Sequence, residues 1–389
     1  MNTQNTPVHI KLWHRDFWLL SIASMLLTMS VYMLLPVMPV WLMEEENFLP
    51  QQTGLSMGAF AFGLYLFGVH CSWLVQHYRR NVVCMWAIAA VAAIVGLLWY
   101  IDNQRYEFVD FWVILLQRLM LGAAFGLAQM VLSSTLIIDT CESFQRTEAN
   151  HSASWFSRFA LSLGPLTGLL VVQYVDFTAV IWTSVALALV SLLLVKWVTF
   201  PFRAPEDYLH VASLDRFFLP QGSLLFVNLL LISMAVGLMI SLPLEPRFYA
   251  LVMAGFLLAL LAQRFVFRDA ELKSEIISGL ILLLGSQLVL LLAPVSPLAP
   301  VLVGLSVGII GGRFLLFFIK LSRHCQRGTS QSTYFLGWET GLTLGVAIGI
   351  AYGYGQPQRV LCMAIVLSAV SLFLYHFFTH SWFLRNKNR

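Results

Sequence analysis

The 389-residue chain is 59% hydrophobic and only 11% charged, against roughly 25% charged in a soluble domain, which excludes an ordinary water-soluble core. Its net charge of +4 is spread along the chain and speaks against nucleic acid as a partner. Cysteines 71, 84, 141, 325 and 362 follow no metal or redox spacing and read as free thiols.

Lys11 and Arg15 precede an apolar run over 17–43. That run exceeds a signal-peptide core of roughly 7–15 residues and lacks a small-residue cleavage site, so it is expected to stay in the membrane as helix 1. Further apolar runs follow at 53–75, 82–101, 109–136, 151–174, 177–199, 221–243, 248–267, 276–293, 298–319, 332–353 and 358–380. Each is long enough for about 30 Å of hydrocarbon, which takes around 20 helical residues. Most breaks are short and carry turn chemistry, as in Pro50-Gln51-Gln52, Arg79-Arg80-Asn81 and Gly355-Gln356-Pro357. Only the polar linker 201–220 is longer, and it divides the chain into an N-terminal six-helix unit, 1–200, and a C-terminal one, 221–389.

Placing both termini in the cytoplasm puts 17 of the 23 Lys and Arg residues on that side and leaves only Arg105, Arg247 and Arg359 outside. This alternation persists loop after loop and sets the expected orientation in a cell membrane, the inner one in a bacterium.

The two halves echo one another. Leu161-Ser162-Leu163-Gly164 with Gly168 returns as Leu342-Thr343-Leu344-Gly345 with Gly349. Pro36-Val37-Met38-Pro39 matches Pro243-Leu244-Glu245-Pro246, and Arg118 matches Arg313. The offsets are 181, 207 and 195 residues. Two apolar halves of this kind point to a transporter that rocks one half against the other.

On these residues the chain resembles the major facilitator superfamily, and within it the twelve-helix drug/proton antiporters. Arg118 followed by Gly122 and Gly126 is similar to the family's helix 4 motif. Ala160 with Gly164-Pro165 and Gly168 is similar to the helix 5 antiporter motif, whose first position is usually Gly. Pro36 and Pro39 resemble the proline pair ending helix 1. The resemblance implies an all-α integral membrane fold of twelve transmembrane helices in two pseudo-symmetric six-helix bundles. Helices 1, 4, 7 and 10 would then line a central cavity, with 2 facing 11 and 5 facing 8. Two departures stand out. The helix 2–3 loop keeps Arg79 and Arg80 but has Val75 near the usual Asp position, and helix 1 carries no carboxylate between Phe17 and Trp41.

Intramembrane charges cost about 2.5–3.5 kcal/mol on insertion scales and face a cavity or a partner. Arg118 and Arg313 are therefore candidate cavity cations, the alternative being structural arginines bonded to backbone carbonyls. Glu339 is read as the only carboxylate well inside a run, deep enough to be desolvated, and is the candidate proton carrier. The alternative is a fixed pair closing the cytoplasmic side, with His70 as its partner. Arg158 aligns with Glu339 across the repeat and is expected to close a gate or anchor helix 5. Gly122, Gly126, Gly164 and Gly168 at four-residue spacing imply close helix packing, and Pro165 a kink in helix 5. Tyr32, Gln117, Asn228 and Phe314 are candidates for an amphipathic substrate cavity, though such residues also serve as core or lipid-facing positions.

The expected function is secondary active transport by alternating access, with export of an amphipathic or hydrophobic organic compound against protons. A lysolipid or lipid-precursor flippase and an importer of a small organic anion are the alternatives within that class. No phosphate-cradling loop, metal spacing or nucleophile elbow supports an enzyme, and no cofactor is called for. The rivals from other classes are a membrane enzyme acting on lipids and a receptor. The partners expected are a small-molecule substrate, protons and the lipid bilayer, with the chain a monomer.

Overall fold

The computed structural model describes residues 12–103, 110–141, 144–198, 210–267, 271–323 and 326–387. Lys11, Arg105, Arg203, Arg268, Cys325 and linker residues 201–209 lie outside them.

Among the described residues, twelve helices are long and apolar enough to cross a membrane: α1 (Arg15–Glu44), α2 (Pro50–His77), α3 (Arg80–Asp102), α4 (Phe111–Asp139), α5 (Arg146–Tyr174) and α6 (Phe177–Lys196), then α7 (Pro220–Ile240), α8 (Pro246–Phe265), α9 (Leu272–Leu292), α10 (Leu298–Leu321), α11 (Arg327–Gly353) and α12 (Pro357–Asn386). The short break before α6 is made by Asp176, whose extended backbone ends the helical path while its carboxylate caps the Ala179 amide at 2.6 Å. Met33 interrupts α1, three residues before Pro36, which has no N–H to give the Tyr32 carbonyl. α4 carries a π-turn over Leu132–Leu136 and α2 a short 3₁₀ stretch over Gly68–His70.

The main helix pairings of one half recur in the other. α1 packs on α5 and α6, α4 on α2 and α3, and α3 on α6; α7 packs likewise on α11 and α12, α10 on α8 and α9, and α9 on α12. Across the halves, α2 meets α11 and α5 meets α8, with lesser α4–α11 and α5–α10 contacts. In lipid, where apolar surface gives no drive for helices to associate, such seams depend on close backbone approach. A Cβ on Gly122 would stand 2.1 Å from the Phe60 carbonyl oxygen and one on Gly63 2.1 Å from that of Leu119; Gly304 and Gly255 repeat this against Val252 and Val301 at 2.0 and 2.2 Å.

These four contacts fix the true register of the repeat. Gly122 corresponds to Gly304, and Leu119 to Val301, an offset of 182 residues. Arg118 therefore has Pro300 as its counterpart, and Arg313 has Val131. The Arg118–Arg313 echo seen in the sequence is not a structural equivalence. The helix 5 echo is one: Gly164 and Gly168 abut α1, as Gly345 and Gly349 abut α7.

Arg15, Asp139, Arg146 and Arg327 mark one end of the bundle, here the basic end. At that end α11 presses on α4, where a Cβ on Gly328 would stand 2.5 Å from the Ser134 carbonyl oxygen. At the opposite end α1 and α7 flank a cavity of about 360 Å³, walled by Leu35, Pro36, Met43, Leu242 and Ile350 with Glu44 at its rim.

Candidate functional site

Between the halves lies a polar cluster drawn from four helices. α1 brings Tyr32, α4 Gln129, α5 Ser154 and Arg158, and α11 Gln331, Tyr334, Trp338 and Glu339. They surround a cavity of about 40 Å³, room for a few water molecules and too small for an organic substrate in this state.

The Tyr32 hydroxyl donates to Glu339 Oε1 at 2.6 Å, joining α1 of one half to α11 of the other. Both side chains are buried, at 2% and 3% exposure, and Glu339 Oε2 has no hydrogen-bond partner. Arg158 donates to Ser154 Oγ at 2.6 Å and to the Gly308 carbonyl of α10 at 3.3 Å. Its guanidinium lies 4.3 Å over the Trp155 ring, while Nε is unpartnered. The Arg158 Nε and the Tyr334 hydroxyl approach the same point, each 3.0 Å from where a Gly311 Cβ would sit. Arg158 and Glu339 share the cavity, and neither is in an ion pair with the other.

The remaining predicted residues go elsewhere. Arg313 turns away from the cavity into an ion pair with Glu275 of α9. Glu275 is fully buried in the first turn of that helix, so Glu339 is not the only buried carboxylate; the apolar run over 276–293 begins one residue beyond Glu275. Arg118 is 2% exposed against α2, its Nη2 2.9 Å from Met57 Sδ and its Nε unpartnered. Asn228 exchanges hydrogen bonds with Ser371 of α12. Gln117 donates to the Ile94 carbonyl of α3 at 3.0 Å, and Phe314 packs on Phe317 and Tyr375. Each of these contacts stays within one half. His70 sits in the 3₁₀ stretch of α2, and the hydrogen-bonded partner of Glu339 is Tyr32. Gly122 and Gly126 meet α2, Gly164 and Gly168 meet α1, and α5 continues through Pro165.

Two features of the site lie outside the residues expected from the sequence. Gln331, Tyr334, Phe335 and Trp338 recur at helical spacing ahead of Glu339, and that polar–aromatic stripe was a legible signal. The second feature is the end of the linker, which closes the basic end as a strap. Ser213 N–H donates to the Val69 carbonyl at 2.8 Å, and Leu219 N–H to Thr333 Oγ1 at 2.8 Å. Asp215 accepts from Ser72 of α2 at 3.4 Å and Thr329 of α11 at 3.1 Å. Arg216 reaches Thr135 of α4 at 3.2 Å. It does so from a left-handed backbone (φ 59) held by its N–H bond to Thr329 Oγ1. Phe217 fills the space a Gly68 side chain would occupy. Nearby, Arg80 pairs with Asp139 at the end of α4, so the basic loop draws its acid from another helix.

Among the described residues, no group of His, Cys, Asp and Glu is placed to hold a metal ion. A search of curated proteins returned no significant match. Among solved structures, the chain superposes on the human organic anion transporter MFSD10 (TETRAN), with TM-score 0.66, 16% identity, and 93% of this chain and 99% of that one covered. It also superposes on the POT family transporter PepTSo (0.68, 10% identity, 96% and 99% covered) and the nucleoside transporter NupG (0.64, 13%, 93% and 99%). At these identities the likeness establishes the fold. The Major Facilitator Superfamily profile matches residues 20–384, and the chain, a multi-pass membrane protein, belongs to that superfamily.

Proposed function

We propose that this protein is a proton-coupled secondary transporter of organic compounds, working by alternating access, with Glu339 as the residue that carries the coupling proton. The observation that carries the reading is the Tyr32–Glu339 hydrogen bond between the halves. An ionised carboxylate accepts a charge-assisted bond roughly twice as strong as a neutral one. Rocking the halves changes the Tyr32–Glu339 separation, so each conformation holds the proton with a different affinity. Reciprocally, protonation biases the conformation.

In this reading residues 1–200 and 221–389 are the rocking units, both termini face the cytoplasm, and the basic end is the cytoplasmic side. The state described above is then sealed inside by the strap and the α4–α11 contact, while the apolar cavity between α1 and α7 opens outward. An apolar outer vestibule suits release of an amphipathic compound, which supports export. Arg158 in the central cavity beside Glu339 favours a second reading, transport of an organic anion, the substrate class named for MFSD10. Purified protein in proteoliposomes should concentrate substrate against its gradient when a pH gradient is imposed and only equilibrate it without one. A panel of cationic, neutral and anionic amphiphiles decides between the two readings.

A further inference from the structure

We propose that the central cavity is built for an amphoteric substrate with well-separated charges, the cation at Glu339 and the anion at Arg158. The proposal rests on the cavity being the site of the transported compound.

Each half contributes one ionisable side chain of opposite sign, and each side chain presents one unsatisfied atom. Glu339 keeps Oε2 free after Tyr32 has taken Oε1, and Arg158 keeps Nε free after Ser154 and Gly308 have taken its other nitrogens. Both residues are at least nine-tenths buried and both line the same cavity. A buried charge without a counter-charge is costly, and the two do not neutralise one another, so a ligand carrying both signs satisfies both sites at once. Arg118 is also buried and partly unpartnered, but it lines neither cavity described above and its contact is the Met57 thioether.

The spacing follows from α11. The Tyr334 hydroxyl and Arg158 Nε approach the same point, and Tyr334 precedes Glu339 by five residues of α11, well over one helical turn, so the two charged groups stand apart in the cavity. An α-amino acid, with both charges on one carbon, is too short to reach both. Tyr32, Tyr334, Phe335 and Trp338 supply aromatic walls that suit a ring between the two charges.

The test uses purified full-length protein in nanodiscs and reads ligand binding by thermal stabilisation, so it does not depend on coupling or flux. The probe is 4-(aminomethyl)benzoate, a rigid zwitterion with its charges roughly 7 Å apart. Its matched controls are 4-(aminomethyl)benzamide (cation), 4-methylbenzoate (anion) and phenylalanine (short zwitterion). The zwitterionic probe should bind about tenfold or more tightly than every control. Arg158→Gln should weaken the zwitterion and 4-methylbenzoate while sparing the benzamide, and Glu339→Gln should weaken the zwitterion and the benzamide while sparing 4-methylbenzoate. Arg158→Lys, which retains the charge, should keep 4-methylbenzoate binding if the Gln variant folds poorly. The proposal is overturned if wild type binds none of the four, binds them alike or prefers a control. It is also overturned if either Gln variant weakens cation and anion equally. Wild-type protein that shows this binding pattern but no pH-driven transport would count against the proton reading alone.

Discussion

The most consequential residue is Tyr32, because its hydroxyl is the one group from α1 that reaches Glu339. Tyr32→Phe removes the donor and keeps the ring. It should cost about 1–3 kcal/mol of stability, read as a lower midpoint in thermal unfolding, and it should weaken coupling more than substrate binding. Unchanged stability and coupling would mean that the bond is incidental. Arg118 makes the opposite prediction. With a thioether as its contact and no counter-ion, Arg118→Met should leave the protein as stable or raise its stability by about 1 kcal/mol or more. A fall in stability would restore the alternative that its guanidinium holds backbone carbonyls. Glu339 and Arg158 were legible in the sequence because a charge in an apolar run is rare. Which side a polar residue faces was not legible. Asn228 and Gln117 find partners within their own half, and Arg313 was misread for want of Glu275, hidden at the edge of a run.

At the scale of elements, hydropathy alone placed the twelve helices, since each must satisfy its own backbone in lipid. The repeat was half legible. The helix 5 and 11 glycines recur because both abut an equivalent helix, whereas the Arg118–Arg313 echo was a coincidence of residue type that only the Gly122 and Gly304 contacts expose. Those contacts carry their own test. Gly122→Ala and Gly304→Ala each drive a methyl into a backbone oxygen and should destabilise by about 1–3 kcal/mol or more, in parallel. Gly285→Ala, with nothing within 4 Å of its Cβ, should be neutral or stabilising by up to about 1 kcal/mol. Equal effects at all three would contradict the packing. The strap was invisible in the sequence because its bonds are formed by main-chain groups and small hydroxyls scattered over three helices. Asp215 is half exposed, so Asp215→Ala should cost less than about 1 kcal/mol. It should nevertheless raise labelling of Ser134→Cys by a polar maleimide applied to the basic end. Unaltered labelling would show that the strap does not hold that end closed.

At the scale of the molecule, orientation and mechanism can be tested separately. On a cysteine-free background, Glu45→Cys and Gln356→Cys should label from outside intact cells, while Gln145→Cys and Gln326→Cys should not; the reverse pattern would invert the proposed topology. Alternating access coupled to protons then rests on Glu339, on the contact where the two halves meet. The most direct measurement compares two modes of transport by Glu339→Gln in proteoliposomes. Glutamine keeps the side chain's size and its acceptor for Tyr32 but cannot exchange a proton. With both sides loaded at saturating substrate, so that any affinity lost at Glu339 is offset, exchange should persist, while accumulation driven by a pH gradient should vanish. If Glu339→Gln still concentrates substrate under a pH gradient at near the original rate, or if both modes decline together with stability, Glu339 is not the proton carrier.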